Sequence, residues 1–218
     1  MDYLLALDQG TTSSRALLLD RKGRVAAQAQ RPVSIRSPRP EWVEQDPEEL
    51  WASQEAAARE ALETARVSPR QVAAIGIANQ RETFLLWERK TLLPRGPALV
   101  WQDRRSSGLC ARLQAQGWEK TIQEKTGLRL NPYFSGTKFL WLMEHLPELP
   151  RALNRLCFGT VDSWLLAKLS GGKLHATEES NASRTLLYNL SERCWDPELL
   201  SLFRIPASIL PEVHPSAG

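Results

Sequence analysis

The sequence predicts an α/β domain built on a mixed β-sheet flanked by helices. Three observations carry that prediction. The first thirty residues read as strand, turn, strand, turn, strand. A helix with well-marked ends follows, starting at Asp46. From Val72 to Leu169, short apolar runs then alternate with helical patterns.

The opening meander has strands at Tyr3–Leu7, Ala16–Leu19 and Val25–Ala29. Gln9–Ser14 and Lys22-Gly23 are the turns between them, the spacing of antiparallel hairpins. Pro38-Arg39-Pro40 forms a loop. Asp46 then fits a helix N-cap, with Pro47 at the first helical position and Glu48 and Glu49 in the first turn. Glu49 has the spacing of a capping-box partner for Asp46. Leu50, Gln54, Ala57, Ala58, Ala61, Leu62 and Ala65 share one helical face, and Pro69 marks the end of the segment.

Val72–Ala78 is a continuous apolar run, the pattern of a strand buried on both faces. Phe84–Trp87 and Ala98–Trp101 read as further strands. Helical patterns lie at Arg104–Gln116, Glu119–Thr126, Thr137–Leu146 and Thr160–Leu169, the last stopped by Gly171-Gly172. The proline-spaced tail, Pro206, Pro211 and Pro215, reads as an extended linker.

Composition excludes several classes. Among 218 residues, 28 Lys and Arg stand against 25 Asp and Glu, a net charge of +3 that gives no reason to expect a nucleic-acid partner. Twelve glycines and 14 prolines exclude collagen-like and low-complexity chains. No apolar run approaches the roughly 20 residues of a membrane helix, so no membrane insertion is expected. The apolar stretch Tyr3–Leu7 is too short for a signal-peptide core, which makes the expected location cytoplasmic. Cys110, Cys157 and Cys194 form no CxxC pair and are expected to be mostly buried, reduced thiols. His145, His175 and His214 lie far apart without ligand spacing, and no GxSxG nucleophile motif occurs.

Four segments carry candidate chemistry. Asp8-Gln-Gly-Thr-Thr-Ser-Ser-Arg15 places an acid at a strand end, then a glycine turn, four hydroxyls and an arginine. Backbone N–H groups and hydroxyls in such a turn suit phosphate oxygens. Asp8 suits Mg²⁺, which favours one or two carboxylates plus substrate phosphates. The loop is not a Walker A, since GxxxxGK[ST] is absent. A hairpin rich in small polar residues is the plainer reading. Arg81 and Glu82 follow a strand end, where α/β sheets gather ligands. Together they offer donors and an acceptor, a match for a polyol; a surface ion pair is the alternative. Trp101 in WQDRR and Tyr133 in PYFSGTK set aromatics beside polar groups at element boundaries, as a small-ligand pocket or plain core packing would.

Taken together the segments resemble a known family. DQGTTSSRALLLD, EWVEQDPEELW, GIANQRETFLLWE, ALVWQDRRS, GLRLNPYFSGTKFLWL, FGTVDSWLLAKLSGG, ESNASRTLLYN and IPASILPEV are similar, in order, to the glycerol kinases of the FGGY carbohydrate kinase family. The resemblance runs from Asp8 to about Val213. It implies a ribonuclease H-like fold of the actin, Hsp70 and sugar-kinase type, in which two such domains close over ATP and substrate. It implies ATP and Mg²⁺ as cofactors and glycerol as the phosphate acceptor. By position, Thr11, Thr12, Ser13 and Arg15 would bind the nucleotide phosphates and Asp8 would support Mg²⁺. Arg81, Glu82 and Tyr133 would hydrogen-bond glycerol, with Trp101 flanking its carbon backbone. No catalytic base is expected within residues 1–218, which read as one N-terminal domain. The base and the adenine pocket belong to a second domain expected to lie outside this chain, so the chain alone is expected to be inactive. A kinase for another polyol or sugar, and a non-catalytic binding protein, remain the alternatives. A homo-oligomer of the full-length enzyme stays open. Glu41 departs from the pattern the resemblance implies, which usually has glycine before the Trp-Val-Glu.

Overall fold

The computed structural model describes residues 2–217. In chain order its elements are β1 (Tyr3–Gln9), β2 (Ser13–Asp20), β3 (Val25–Pro32), β4 (Glu44–Gln45), α1 (Pro47–Ala65), β5 (Val72–Asn79), β6 (Phe84–Glu88) and β7 (Ala98–Leu99). Then come α2 (Ser107–Ala115), α3 (Trp118–Thr126), α4 (Ser135–His145), α5 (Leu149–Ala152), β8 (Leu156–Thr160) and α6 (Val161–Leu169). The last are β9 (Ala176–Glu178), α7 (Glu179–Ala182), β10 (Tyr188–Asn189), β11 (Cys194–Trp195), α8 (Pro197–Leu202) and β12 (Glu212–His214). They form two compact units. One takes the chain up to Ile35 together with Gln45–Gln80, the other Arg36–Glu44 together with the chain from Arg81 onward.

The first unit is a mixed four-stranded sheet in the order β3-β2-β1-β5. Both meander pairs are antiparallel, and β5 lies parallel to β1. Asp20 shapes the second hairpin: its Oδ1 accepts the N–H groups of Lys22 at 2.8 Å and Arg24 at 3.0 Å, while Gly23 takes φ 74°. Alternation along the strands sends Leu5, Leu7, Ala16, Leu18 and Ala29 to one face, where Ala57 and Ala61 of α1 cover them. The start of α1 is as the sequence predicts, with Asp46 accepting from the Glu48 N–H at 2.9 Å and Pro47 at the first position. The capping box does not form there. Glu49 instead accepts the Ser34 N–H at 2.9 Å.

β5 departs from its expected burial. Ala73, Ala74, Ile75, Gly76 and Ala78 are exposed, with Ile75 at 47%. The apolar run sits at the sheet edge beside β1, and α1 covers β1–β3. A continuous apolar run fixes the strand but not which neighbours cover it.

The second unit holds the neighbouring strands β7-β6-β8, antiparallel at β6–β7 and β6–β8. Phe84 of β6 stacks on Phe158 of β8 with ring centroids 5.0 Å apart, and Phe139 of α4 meets Phe158 edge-on. Leu86, Leu99, Ile122, Leu156, Leu187 and Phe203 complete this core. The tail is not a linker throughout. Ile209 and Leu210 join the core, β12 runs parallel to β9, and the Pro211 carbonyl accepts the Trp195 Nε1–H at 2.9 Å. The expectation for the thiols holds for Cys110 and Cys157, which are buried, whereas Cys194 is exposed.

Candidate functional site

In the first unit the Gln9–Ser14 turn is tight. The Gly10 N–H bonds the Ser13 carbonyl at 2.9 Å, and a Cβ on Gly10 would come within 3.0 Å of that same oxygen. A side chain at this position would crowd the backbone where the two strands close on each other. Only Thr11 and Thr12 occupy the turn proper; Ser13 and Ser14 already belong to β2. Ser14 is fully buried and shares hydrogen bonds with Gln9 Oε1 at 3.0 Å and the Ser53 hydroxyl at 2.7 Å. The turn is braced through its carbonyls: Thr11 O accepts from Gln45 Nε2 at 2.7 Å and Thr12 O from the Val33 N–H at 3.0 Å. Thr12 projects at the exposed tip, and Ser13 is buried at the strand start.

Asp8 lies directly across the β1–β2 ladder from Arg15, with Oδ2 to Nη1 at 3.7 Å. Both side chains are about half exposed, so solvent screens this pair. Among the described residues no group of three acidic, His or Cys side chains could hold a metal ion. The donor set is one accessible carboxylate beside a turn of hydroxyls and amides. That suits Mg²⁺ arriving on substrate phosphates and would not suit a resident, fully protein-ligated metal.

In the second unit, Glu82, Trp101 and Tyr133 come together although 51 residues separate Glu82 from Tyr133 (133−82). Arg81 and Glu82 do not form the surface pair that adjacency allowed. Arg81 is exposed, whereas Glu82 is only 3% exposed and its Oε1 accepts from Arg184 Nε at 2.7 Å. The Glu82 carbonyl accepts the Ser135 hydroxyl at 3.0 Å, which fixes that stretch against the first turn of α4. The Tyr133 and Trp101 rings lie 5.4 Å apart, and the Trp101 N–H is held by Thr83 Oγ1 at 3.1 Å. Burial raises the Tyr133 phenol above its ordinary value, and the Glu82 charge raises it further. Tyr133 therefore keeps its proton as a donor near neutral pH.

The loop after Trp101 is locked by charge. Asp103, fully buried, accepts from the Val43 N–H at 2.7 Å and from Arg105, whose Nη2 also reaches Glu44 at 2.6 Å. Two residues of this region lie outside what sequence reasoning selects for the site. Arg184 is 102 positions from Glu82 in a turn without periodic signal, although it falls in the ESNASRT segment. Lys138 reads as one polar residue in an apolar helical pattern, yet it is completely buried.

Comparison with known proteins settles the family. The FGGY family of carbohydrate kinases, N-terminal domain, matches residues 3–218. The chain belongs to the FGGY family of carbohydrate kinases. It is 56% identical over its whole length to a glycerol kinase of Thermus brockianus and 54% identical to one of Variovorax paradoxus, covering 44% of each. The chain thus spans less than half the length of the curated relatives it matches. A crystal structure of Plasmodium falciparum glycerol kinase with ADP superposes with a TM-score of 0.91 at 31% identity, over 98% of this chain and 43% of that one. The fold is that of FGGY sugar kinases, the actin, Hsp70 and ribonuclease H-like architecture. The family model it matches is one of carbohydrate kinases. No helix among the described residues is long and apolar enough to cross a membrane.

Proposed function

We propose that these residues form the N-terminal half of a glycerol kinase, which transfers the γ-phosphoryl group of ATP to a terminal hydroxyl of glycerol to give sn-glycerol 3-phosphate. The observation that carries the reading is the buried Glu82 carboxylate, held by Arg184 beside Tyr133 and the Trp101 ring. An acceptor fixed in a dry place, an exposed guanidinium at Arg81 and a protonated phenol match a small polyol. Each of its hydroxyls donates and accepts, and its carbons need an apolar wall. The glycerol kinases that resemble the chain over its whole length support the same substrate.

In this reading Glu82 accepts from glycerol hydroxyls, Arg81 and Tyr133 donate to them, and Trp101 covers the carbon chain. Thr11, Thr12 and Ser13 offer amides and hydroxyls to the nucleotide phosphates, with Arg15 adding positive charge. Asp8 would hold Mg²⁺, which neutralises phosphate charge when bound. The base that takes the hydroxyl proton is expected in the remainder of such an enzyme, so the 218-residue chain by itself should release no ADP with glycerol and MgATP.

The test joins residues 1–218 to the C-terminal remainder of the Thermus brockianus relative and titrates both substrates. Arg81→Ala should lower kcat/KM for glycerol by the equivalent of about 1.5–3 kcal/mol, the value of a hydrogen bond to a charged group, with a smaller effect on ATP. Unchanged glycerol kinetics would remove Arg81 from the site.

A further inference from the structure

Lys138 is a charged side chain with no exposure at all, one turn into α4. Removing an ammonium from water costs several kcal/mol, and a buried ionic group is seldom the most stabilising choice for a core position. The partners of Lys138 are specific. Its Nζ donates to the Val100 carbonyl at 2.9 Å and to the Tyr133 carbonyl at 3.0 Å. Val100 precedes Trp101, and Tyr133 carries the facing ring, so one amine bridges the two backbone segments that hold the aromatic wall. Asp103 and Glu82 lie near enough to favour the charge, and Arg105 opposes it. Burial outweighs them and pulls the amine down to about 7. Protonated or neutral, it keeps at least two N–H donors, enough for both carbonyls.

We propose that Lys138 is a positioning residue: by tying the Val100 and Tyr133 carbonyls together it sets the separation of the Trp101 and Tyr133 rings, and so the wall against which a three-carbon polyol lies. The inference rests on reading that wall as the polyol site. Lys138 touches no substrate. It acts through the backbone of the two residues that do. The segments it joins are far apart in sequence, and the 5.4 Å ring separation has no covalent constraint of its own.

The test uses the 218-residue chain, Lys138→Met, which keeps the shape and loses both donors, and Lys138→Arg, which keeps donors. Cross-relaxation between Trp101 and Tyr133 ring protons reports the wall, and that between Phe84 and Phe158 reports the intact core. In Lys138→Met the Trp101–Tyr133 signal should weaken or vanish while the Phe84–Phe158 signal persists, and Lys138→Arg should restore it. If Lys138→Met fails to fold while Lys138→Arg folds with the Trp101–Tyr133 signal present, the donors are needed and the tie stands. An unchanged Trp101–Tyr133 signal in Lys138→Met, or unfolding of both variants alike, would reduce Lys138 to packing and overturn it.

Glycerol titration separates the two readings. Lys138→Met should bind glycerol roughly tenfold more weakly than wild type. A vanished Trp101–Tyr133 signal with glycerol affinity unchanged would overturn the positioning role while leaving the polyol site. A wild-type chain whose response to glycerol equals that of Glu82→Gln would instead overturn the polyol reading and the functional part of this proposal, leaving the ring-proton signal to decide the tie.

Discussion

Glu41 shows how a single residue can strain the backbone of a turn. Its φ is 67°, in the left-handed region, and its carbonyl accepts the Arg104 N–H at 2.8 Å, so the turn cannot relax without losing that bond. The left-handed conformation favours glycine, the residue that the family resemblance implies at this position. Glu41→Gly should stabilise the fold by about 0.5–1 kcal/mol, the relief of left-handed strain less the extra freedom glycine brings to the unfolded chain. Urea unfolding at equilibrium measures it, and a loss of stability would mean the Glu41 side chain holds the loop in another way. Lys138 gives a pH signature at the same scale. Its ordinary value of 10.5 applies when unfolded, and in the fold it falls to about 7. Between those values the unfolded chain binds the extra proton, so stability rises with pH. The rise should be visible from pH 7 to 9, below the range where the buried Cys110 thiol, pushed up to about 11, begins to oppose it. Lys138→Met should flatten that rise, and an equal slope in both proteins would place the titration elsewhere. Residues of this kind are only partly legible in sequence. The Asp46 cap is readable because its bond spans two residues. Arg184 and Lys138 are not, because their partners are fixed by a fold in which positions 82, 100, 133 and 184 converge.

At the scale of elements, local signals set the type and tertiary neighbours set the burial. Helices α3, α4 and α6 lie within two residues of where periodicity predicts them, since one covered face imposes the pattern. β5 is a strand as read, but being at an edge is a property of the sheet. β12 is short and flanked by prolines, so nothing local distinguishes it from a linker. The β6–β8 pair illustrates the opposite limit, where one atom matters. Gly159 faces Leu85 in the ladder, and a Cβ there would sit 2.6 Å from the Ser163 Cβ and 2.7 Å from the Trp87 ring. Trp87 is buried and packs on Trp164 at 5.4 Å, so it cannot step aside. Gly159→Ala should therefore cost about 1–3 kcal/mol by overpacking. Chemical denaturation gives the value, and no change would mean that the indole has room to shift.

At the scale of the whole molecule, the Gln9–Ser14 turn and the glutamate–aromatic cluster are each assembled within one unit, and the family model runs through both. The turn and the NQRET segment are legible because each follows a strand end, and the PYFSGTK segment because its aromatics stand beside polar groups. What links those segments into one function is the family resemblance rather than any one of them. The substrate is the central claim, because FGGY kinases share a fold and differ in what they phosphorylate. The most direct test is a coupled ADP-release assay on residues 1–218 joined to the Thermus brockianus C-terminal remainder, comparing glycerol with xylulose and gluconate at matched concentrations. Glycerol-dependent turnover should appear with a kcat/KM well above that for either sugar substrate, and Glu82→Gln should abolish it. Turnover with xylulose or gluconate equal to or above that with glycerol would contradict the assignment.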